Sequence, residues 1–277
     1  MSLRTVVACL NTPRSAPSVA ASAFGVAERH QALLVGLHVI PRVPIYSLAG
    51  TDMPAEYIDR EEQTLKERAK EIEKIFWQAT EASTIATEWS CIQSSTSDEV
   101  TAIVGYARCA DLVVMSQYLG ATAEIEMPSE IVMGMGRPVL LVPELGGWQK
   151  IGTRVVIAWN GRREAARAAF DALPFLVKAN SVHILEINPG KRGDGEGFTS
   201  GSEIAVALAR HEIKAVSTTS HPVDTSVGSD LLSRIADESC DLLVMGCYGH
   251  SRLREFVFGG VTREIMQNMT VPVLMSH

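Results

Sequence analysis

The sequence lacks the features that mark several specialised classes of protein. Its five cysteines are scattered and odd in number, and no two form a CxxC pair, so we expect neither a disulfide framework nor a structural zinc site. No apolar run reaches the roughly 18 residues of a membrane span, and residues 1–10 lack the apolar core and cleavage site of a signal peptide. These absences predict a cytoplasmic protein with reduced thiols and no membrane contact.

Positive charge is also scarce. The 277 residues include 25 Lys and Arg against 32 Asp and Glu, a net charge of -7, which disfavours general binding of nucleic acid. The phosphate-loop, HExxH, Gly-x-Ser-x-Gly and Gly-x-Gly-x-x-Gly motifs are missing, so we expect no P-loop NTPase, zinc protease, α/β-hydrolase or dinucleotide dehydrogenase. The sequence therefore predicts no catalytic residue and no metal ligand.

The two halves of the chain are similar in sequence. Four apolar segments recur in the same order in its two halves, which indicates a tandem duplication. The matching pairs are Arg4–Ala8 with Arg154–Ala158, Leu37–Pro41 with Leu185–Pro189, Asp111–Met115 with Asp241–Met245, and Pro138–Val142 with Pro272–Met275. We place one domain at residues 1–145 and another at 151–277, joined by the polar, glycine-containing segment Pro143–Lys150.

Each half alternates short β-branched runs with longer helical patterns, which predicts an α/β fold of two five-stranded parallel sheets with helices on both faces. In the second half the predicted strands are Arg154–Trp159, Val182–Ile187, Lys214–Thr219, Leu242–Met245 and Val271–Met275, and the predicted helices are Arg163–Lys178, Glu203–His211, Ser226–Glu238 and Val261–Asn268. The first half holds an additional charged helix around Ala55–Ser83, for which a solvated cover helix is favoured over a lid or a partner surface.

A group of glycines follows the fourth strand of the second half. Gly246 comes directly after the strand and Gly249 three residues later, while Gly259 and Gly260 precede a helix that opens near Val261. In a parallel sheet this loop lies at the carboxyl ends of the strands, where ligands bind. Backbone N–H groups of glycines and the positive end of a helix dipole both favour an anion. The spacing therefore predicts a site for a phosphate chain, although each glycine taken alone is typical of a turn.

Three side chains near these glycines have alternative interpretations. The Thr262 hydroxyl is a candidate donor to a phosphate or a ligand to a bound cation, and equally a cap for the first helical turn. His250 is a candidate donor at the rim or an ordinary exposed loop histidine. Cys247 is a candidate redox sensor if the nearby helix N-terminus lowers its pKa, but an unreactive side chain is favoured.

The sequence resembles the universal stress protein family over essentially the whole chain, and the glycine pattern carries this resemblance. Nucleotide-binding members carry Gly-x2-Gly-x9-Gly-(Ser/Thr), which Gly246, Gly249 and Gly259 match, while Gly260 stands at the Ser/Thr position. The resemblance implies that the two halves pair through their last strands. It also implies a nucleotide site formed by Ala158, Asn160, Ile187, Met245, Gly246, Gly249, His250, Gly259, Gly260, Val261 and Thr262.

Within that implied site, four residues outside the glycine loop have separate roles. Asn160 stands where the family often has an Asp that contacts ribose, so it keeps hydrogen-bonding capacity and loses the charge. The backbone of Ile187 matches the contact to adenine, and Ala158 and Met245 match positions that line the pocket.

The first half is expected to be empty. Counting back from its last strand aligns Glu126 with Gly259 and Ser129 with Thr262, and none of the four glycines has a glycine counterpart. A carboxylate at the helix start would repel a phosphate at close range. We therefore predict a degenerate site that serves structure or partner contact.

The sequence thus predicts a stress-response protein that binds ATP or a related adenine nucleotide in its second half and acts as a regulatory or interaction module. Mg²⁺ is expected only with a triphosphate, and hydrolysis is expected to be slow or absent, because no base can be placed beside the loop. The alternatives are a nucleotide-free scaffold or chaperone-like protein and, more weakly, an enzyme that acts on a small ligand. The protein partner is unknown, and self-association into a homodimer stays open.

Overall fold

The hydrophobic runs of both halves become strands of one sheet in a computed structural model, which describes residues 2–43, 55–94, 98–117, 126–189, 199–247 and 260–277. The elements of the first half are β1 (Thr5–Cys9), α1 (Ala16–His30), β2 (Leu33–Ile40), α2 (Ala55–Thr80), β3 (Thr87–Gln93), α3 (Glu99–Ala107), β4 (Leu112–Ser116), α4 (Glu126–Met135) and β5 (Val139–Val142). Those of the second half are β6 (Arg154–Trp159), α5 (Arg163–Asp171), α6 (Leu173–Leu176), β7 (Ser181–Ile187), α7 (Gly201–Ala209), β8 (Ala215–Ser220), α8 (Val227–Asp237), β9 (Leu242–Gly246), α9 (Gly260–Asn268) and β10 (Val273–Ser276).

The ten strands lie in the order β3-β2-β1-β4-β5-β10-β9-β6-β7-β8. Within each half every pair is parallel, whereas β5 and β10 meet antiparallel at the centre, with Leu140 opposite Leu274. The α/β fold is therefore confirmed, and so is pairing of the halves through their last strands. The division into domains 1–145 and 151–277 remains a prediction, because the sheet is continuous.

Helices cover both faces of the sheet. Side chains of α1, α2, α5, α6 and α7 pack on one face, and those of α3, α4, α8 and α9 pack on the other. Central strands such as β4 and β5 are buried along their whole length, which explains their unbroken apolar sequences. Among the helices of the described ranges, none is both long and apolar enough to cross a membrane.

Two of the predicted helices are present, one of them with different bounds. The predicted helix Arg163–Lys178 is wrong in extent: α5 ends at Asp171, and a separate short α6 follows. Pro174 explains the break, because it has no N–H to continue the helical hydrogen-bond ladder. The additional charged helix is present as α2, and its second part buries Ile72 and Phe76 against the sheet.

Equivalent aspartates stand just before β4 and β9 and bind the backbone of a neighbouring strand. Asp111 accepts hydrogen bonds from the backbone N–H groups of Arg4 and Thr5. Asp241 accepts from the N–H groups of Gly152, Thr153 and Arg154. Each carboxylate thus fastens the beginning of the neighbouring first strand, which gives the repeated Asp-Leu sequence a structural reason.

The segment between β5 and β6 lies along α1. The Ser18 hydroxyl donates to the carbonyl of Pro143 at 2.8 Å, and the N–H of Trp148 donates to the Ser22 hydroxyl at 3.3 Å. A Cβ on Gly25 would lie 2.2 Å from the Gln149 carbonyl oxygen, so only glycine permits this close approach. The connection is therefore held against the first half.

Candidate functional site

The structure brings four of the predicted site residues to one edge of the second half. Ala158 in β6 pairs with Met245 in β9, and Gly246 follows Met245 as the last residue of that strand. Ile187 is the last residue of β7, which is the other neighbour of β6. Because these three adjacent strands are parallel, their carboxyl ends form a common edge, the usual position of a ligand site in such a sheet.

The surface at this edge is partly apolar. Ala158, Ile187 and Val261 pack on the core beneath them but remain half-buried, whereas Met245 is buried. Half-buried aliphatic groups of this kind suit the flat face of a base, since they offer apolar contact without closing the surface.

Helix α9 supplies the N-terminus expected for an anion. It connects β9 to the parallel strand β10, so it begins at the edge where β9 ends. Gly260 is its first residue and is exposed, and a Cβ there would meet no atom within 4 Å. A side chain at this position would therefore meet none of the described residues.

Helix α9 also differs in charge from its neighbours. The first turns of α5, α7 and α8 contain Glu164, Glu203 and Asp230, respectively. The first turn of α9 contains no acidic residue. Because an acidic side chain would neutralise the positive end of the dipole, α9 differs from α5, α7 and α8 in keeping the attraction of its N-terminus for a separate anion.

Gly246 has a structural reason beside its predicted role. A Cβ on Gly246 would lie 2.5 Å from the backbone carbon of Glu164 and 2.6 Å from the nitrogen of Ala165. Helix α5 therefore fills the space that a side chain would need, and close helix packing accounts for this glycine. The contact of its backbone with an anion stays a prediction.

The side chain of Asn160 is partly engaged. Its Oδ1 accepts a hydrogen bond from the N–H of Arg162 at 3.1 Å, which forms a local turn just before α5. The amide NH₂ is then the group that Asn160 offers to a ligand. It can donate a hydrogen bond to a hydroxyl oxygen but cannot accept a hydrogen bond from a hydroxyl group.

Two further predicted residues are buried. Thr262 is only 4% exposed, and no hydrogen bond joins its hydroxyl to another residue of the described segments, so its predicted contact with a phosphate stays a prediction. Burial raises the pKa of Cys247 far above its ordinary value. The thiol therefore stays protonated, which is the unreactive role and disfavours a redox sensor.

Gly249, His250 and Gly259 lie outside the described residues, so the structure does not test their predicted contacts.

The sequence interpretation missed two carboxylates close to the same edge. Glu164 is 6% exposed and pairs with Arg163. Burial raises its pKa, but the hydrogen bonds from Arg163 and from its own backbone N–H, together with the charges of Arg163 and His277, outweigh burial and leave the pKa lowered. Glu164 is therefore an ionised, paired group. The run Arg162-Arg163-Glu164 at the start of α5 is the sequence feature that could have indicated this ion pair.

Glu264 is the second missed carboxylate. Its Oε1 accepts hydrogen bonds from the hydroxyls of Ser226 at 2.6 Å and Ser229 at 2.8 Å. Both serines belong to the start of α8, so this charge lies at a helix N-terminus, where it is stabilised. The carboxylate of Glu264 thus stabilises α8 rather than the open end of α9.

The corresponding edge of the first half is closed by its own side chains. Asn11 follows β1 as Asn160 follows β6, and its Nδ2 donates to the sulfur of Met127 at 3.3 Å. Its Oδ1 also accepts from the Cys9 thiol. Met127 belongs to the first turn of α4, so the side chain of Asn11 is engaged with the helix start of its own half.

The alignment of the two helix starts also requires correction. Val142 pairs with Ser116 in the first half, and Ser276 pairs with Gly246 in the second, so Val142 and Ser276 are equivalent. Counting back by the same interval places Glu126 opposite Gly260 rather than Gly259, and Arg263 rather than Thr262 opposite Ser129. The expected contrast is retained, because the first half has a glutamate where the second has an open glycine.

The second half also has a cavity away from this edge. A cavity of about 130 Å³ lies at the opposite edge of the sheet, between the beginnings of β6 and β7, and is lined in part by His183, Glu238 and Cys240. It is separate from the predicted site. Within the described ranges, no group of three His, Cys, Asp or Glu residues is placed to hold a metal ion.

The fold and the site together define a class of tandem α/β proteins. In this class two parallel sheets join through a pair of antiparallel strands, and the N-terminus of a helix lies at the carboxyl ends of the strands. Residues 153–277 match the model of the universal stress protein family. The predicted resemblance to this family is thereby confirmed, and the match lies in the second half of the chain.

Individual relatives agree with this assignment. Universal stress protein Slr1230 of Synechocystis is 26% identical over 159 residues, which cover 57% of this chain and 51% of that protein. The match therefore spans about half the length of the curated relative.

Among solved structures, a universal stress protein from Archaeoglobus fulgidus has a TM-score of 0.72 at 15% identity, covering 99% of this chain and 96% of its own. A functionally unknown protein from Pseudomonas aeruginosa has a TM-score of 0.60 at 10% identity, covering 99% and 92%. At these identities the similarity establishes the tandem fold.

Proposed function

We propose that the second half of the chain binds ATP or a related adenine nucleotide and that the protein acts as a regulatory or interaction module in a stress response. The observation that carries this proposal is the open, acid-free N-terminus of α9 at the edge formed by β6, β7 and β9. An anion at that position gains the unpaired N–H groups and the dipole of the helix.

The remaining groups suit the other parts of a nucleotide. Half-buried Ala158 and Ile187 offer apolar surface to a base, and the NH₂ group of Asn160 offers a donor to a ribose oxygen. Mg²⁺ would accompany a triphosphate and neutralise part of its charge. Glu164, the nearby buried carboxylate, is paired with Arg163, so among the described residues of this edge it is not a free base for fast hydrolysis. We therefore propose binding without rapid turnover.

A first experiment asks whether the purified full chain carries nucleotide. Acid release followed by chromatography identifies a co-purified ligand, and calorimetric titration with ATP, AMP and adenosine then ranks the contribution of phosphate. The proposal expects ATP to bind more tightly than adenosine, because adenosine cannot use the N-terminus of α9.

A matched pair of variants then places the phosphate. Gly260→Asp adds a carboxylate at the open start of α9, and Gly260→Asn adds a neutral group of the same size. Two like charges about 4 Å apart repel by about 4 kcal/mol at an effective dielectric constant of about 20. ATP binding should therefore fall at least about tenfold in the Asp variant relative to the Asn variant, while adenosine binding should differ little. Equal ATP affinities in the two variants would place the phosphate elsewhere.

A nucleotide-free scaffold is the second candidate. It is favoured by the burial of Thr262 and by the ionised Glu164 beneath Gly246, since both weaken a phosphate site. Absence of co-purified nucleotide, together with no heat of binding at millimolar ATP, would select this candidate.

A further inference from the structure

A side chain of the first half holds the far end of α9. Gln117 directly follows β4 and is only 5% exposed. Its Nε2 donates hydrogen bonds to the carbonyl oxygens of Met266 at 3.2 Å and Gln267 at 3.4 Å. Both carbonyls belong to the last turn of α9, so the contact joins the degenerate edge of the first half to the proposed phosphate helix of the second.

These two carbonyls need an external partner. The last four carbonyls of an α-helix have no intrahelical donor. In α9 the carbonyl of Ile265 accepts from the N–H of Met269 at 2.8 Å, which leaves Met266 and Gln267 to be satisfied by the amide of Gln117. The contact to the Met266 carbonyl is buried, whereas Gln267 is exposed. Because a buried carbonyl without a partner is unfavourable, the bond from Gln117 to Met266 fixes how the C-terminal turn of α9 sits against the first half.

A second contact supports the same attachment. The Ser129 hydroxyl in α4 lies 3.4 Å from the sulfur of Met266, and both residues are buried. The attachment is one-sided, because the position equivalent to Gln117 in the second half is Cys247. A thiol there has no amide to donate to the end of α4.

We propose that Gln117 is a positioning residue for the nucleotide site: it holds the C-terminal end of α9 and thereby sets the affinity for phosphate at the Gly260 end. The inference rests on the proposed function. Helix α9 has nine residues, so the two ends are about 13 Å apart. A rigid helix of this length transmits a tilt at one end to the N–H groups at the other, and the donor at its C-terminus also complements the dipole.

The test replaces Gln117 with a side chain of similar length that cannot donate. Gln117→Met in the full chain leaves both carbonyls without the amide, while methionine tolerates burial. Ser18→Ala is the matched control, because it removes another buried hydrogen bond between distant segments, to the Pro143 carbonyl, without touching α9. Calorimetry measures the affinities for ATP and adenosine, and hydrogen exchange follows the amides of residues 260–269 without ligand.

We expect ATP affinity to fall about three- to tenfold in the Met variant, the usual range for a coupling residue. Adenosine affinity should change less than about twofold, and exchange in α9 should become faster. The Ser18 control should leave all three measurements unchanged. Wild-type-like ATP affinity in the Met variant, or an equal loss for ATP and adenosine, would overturn the inference. A wild-type chain that binds no ATP would instead overturn the proposed function, and this result is distinct from both.

Discussion

Acid should destabilise the protein through a histidine buried between its two halves. His30 ends α1 and is 5% exposed, and its ring packs edge-on against Phe175 of α6 with centroids 5.6 Å apart. Neither ring nitrogen has a hydrogen-bond partner within the described residues. The Arg29 side chain donates to the carbonyls of Ile151 and Lys178, so His30 lies beside a contact that fastens the first half to the second.

The sign of the pH effect follows from the pKa of His30. Burial, followed by the positive charges of Lys178 and Arg29, lowers this pKa from 6.5 to about 4. Between these values the unfolded chain binds a proton that the folded chain excludes, so stability is present above pH 6.5 and falls as pH decreases. Each tenfold change in proton affinity corresponds to about 1.4 kcal/mol. The loss should therefore reach about 2 kcal/mol at pH 5 and about 3 kcal/mol near pH 4.

Urea unfolding of wild type and His30→Leu at pH 7.5 and pH 5 measures this contribution. Leucine is apolar and of comparable size, so the variant should fold at pH 7.5 with stability within about 1.5 kcal/mol of wild type. Between the two pH values its stability should fall by about 2 kcal/mol less than that of wild type. His211→Leu is the control, since that ring packs on Phe170 at 6.0 Å but is exposed. A constant difference between wild type and His30→Leu across this range would refute the reasoning.

Two further matched pairs test the packing. Gly246→Ala should destabilise the protein by about 1–3 kcal/mol, because its methyl group would overlap the backbone of α5, whereas Gly260→Ala should change stability by less than about 1 kcal/mol; urea unfolding of both variants measures this, and equal losses would contradict the packing role. Asp241→Ala should be more destabilising than Asp111→Ala in the same assay, because Asp241 accepts from three backbone N–H groups and Asp111 from two. A reversed order would show that the number of amide bonds does not decide the loss.

The sequence predicted the inner strands of the second half, such as β6 and β9, well because these are continuous apolar runs that must be covered on both faces. Strand β6 occupies the predicted residues Arg154–Trp159. Once the strands are parallel neighbours, the proximity of Ala158, Ile187 and Met245 follows from topology alone. The helix break at Pro174 was also visible in the sequence, but the strong helix formers before it concealed the signal.

Features that depend on packing between distant residues could not be predicted. Gly246 is a glycine because of α5, which lies 80 residues earlier in the chain, and a glycine motif gives no means of separating this cause from ligand contact. Whether the Thr262 hydroxyl faces solvent depends on how α9 rotates on the core. The hydrogen bonds from Gln117 to α9 join residues about 150 positions apart, and no local pattern marks them.

The covalent connection between the halves permits a difference that a pair of identical chains cannot have. In a symmetric homodimer every substitution occurs on both sides of the two-fold axis, so a residue could not be glutamine in one copy and cysteine in the other. Here Gln117 and Cys247 occupy equivalent places, and each evolved under separate demands. Under the function proposed above, one copy binds the ligand while the other supports its helix α9, a division of roles that a single covalent chain permits.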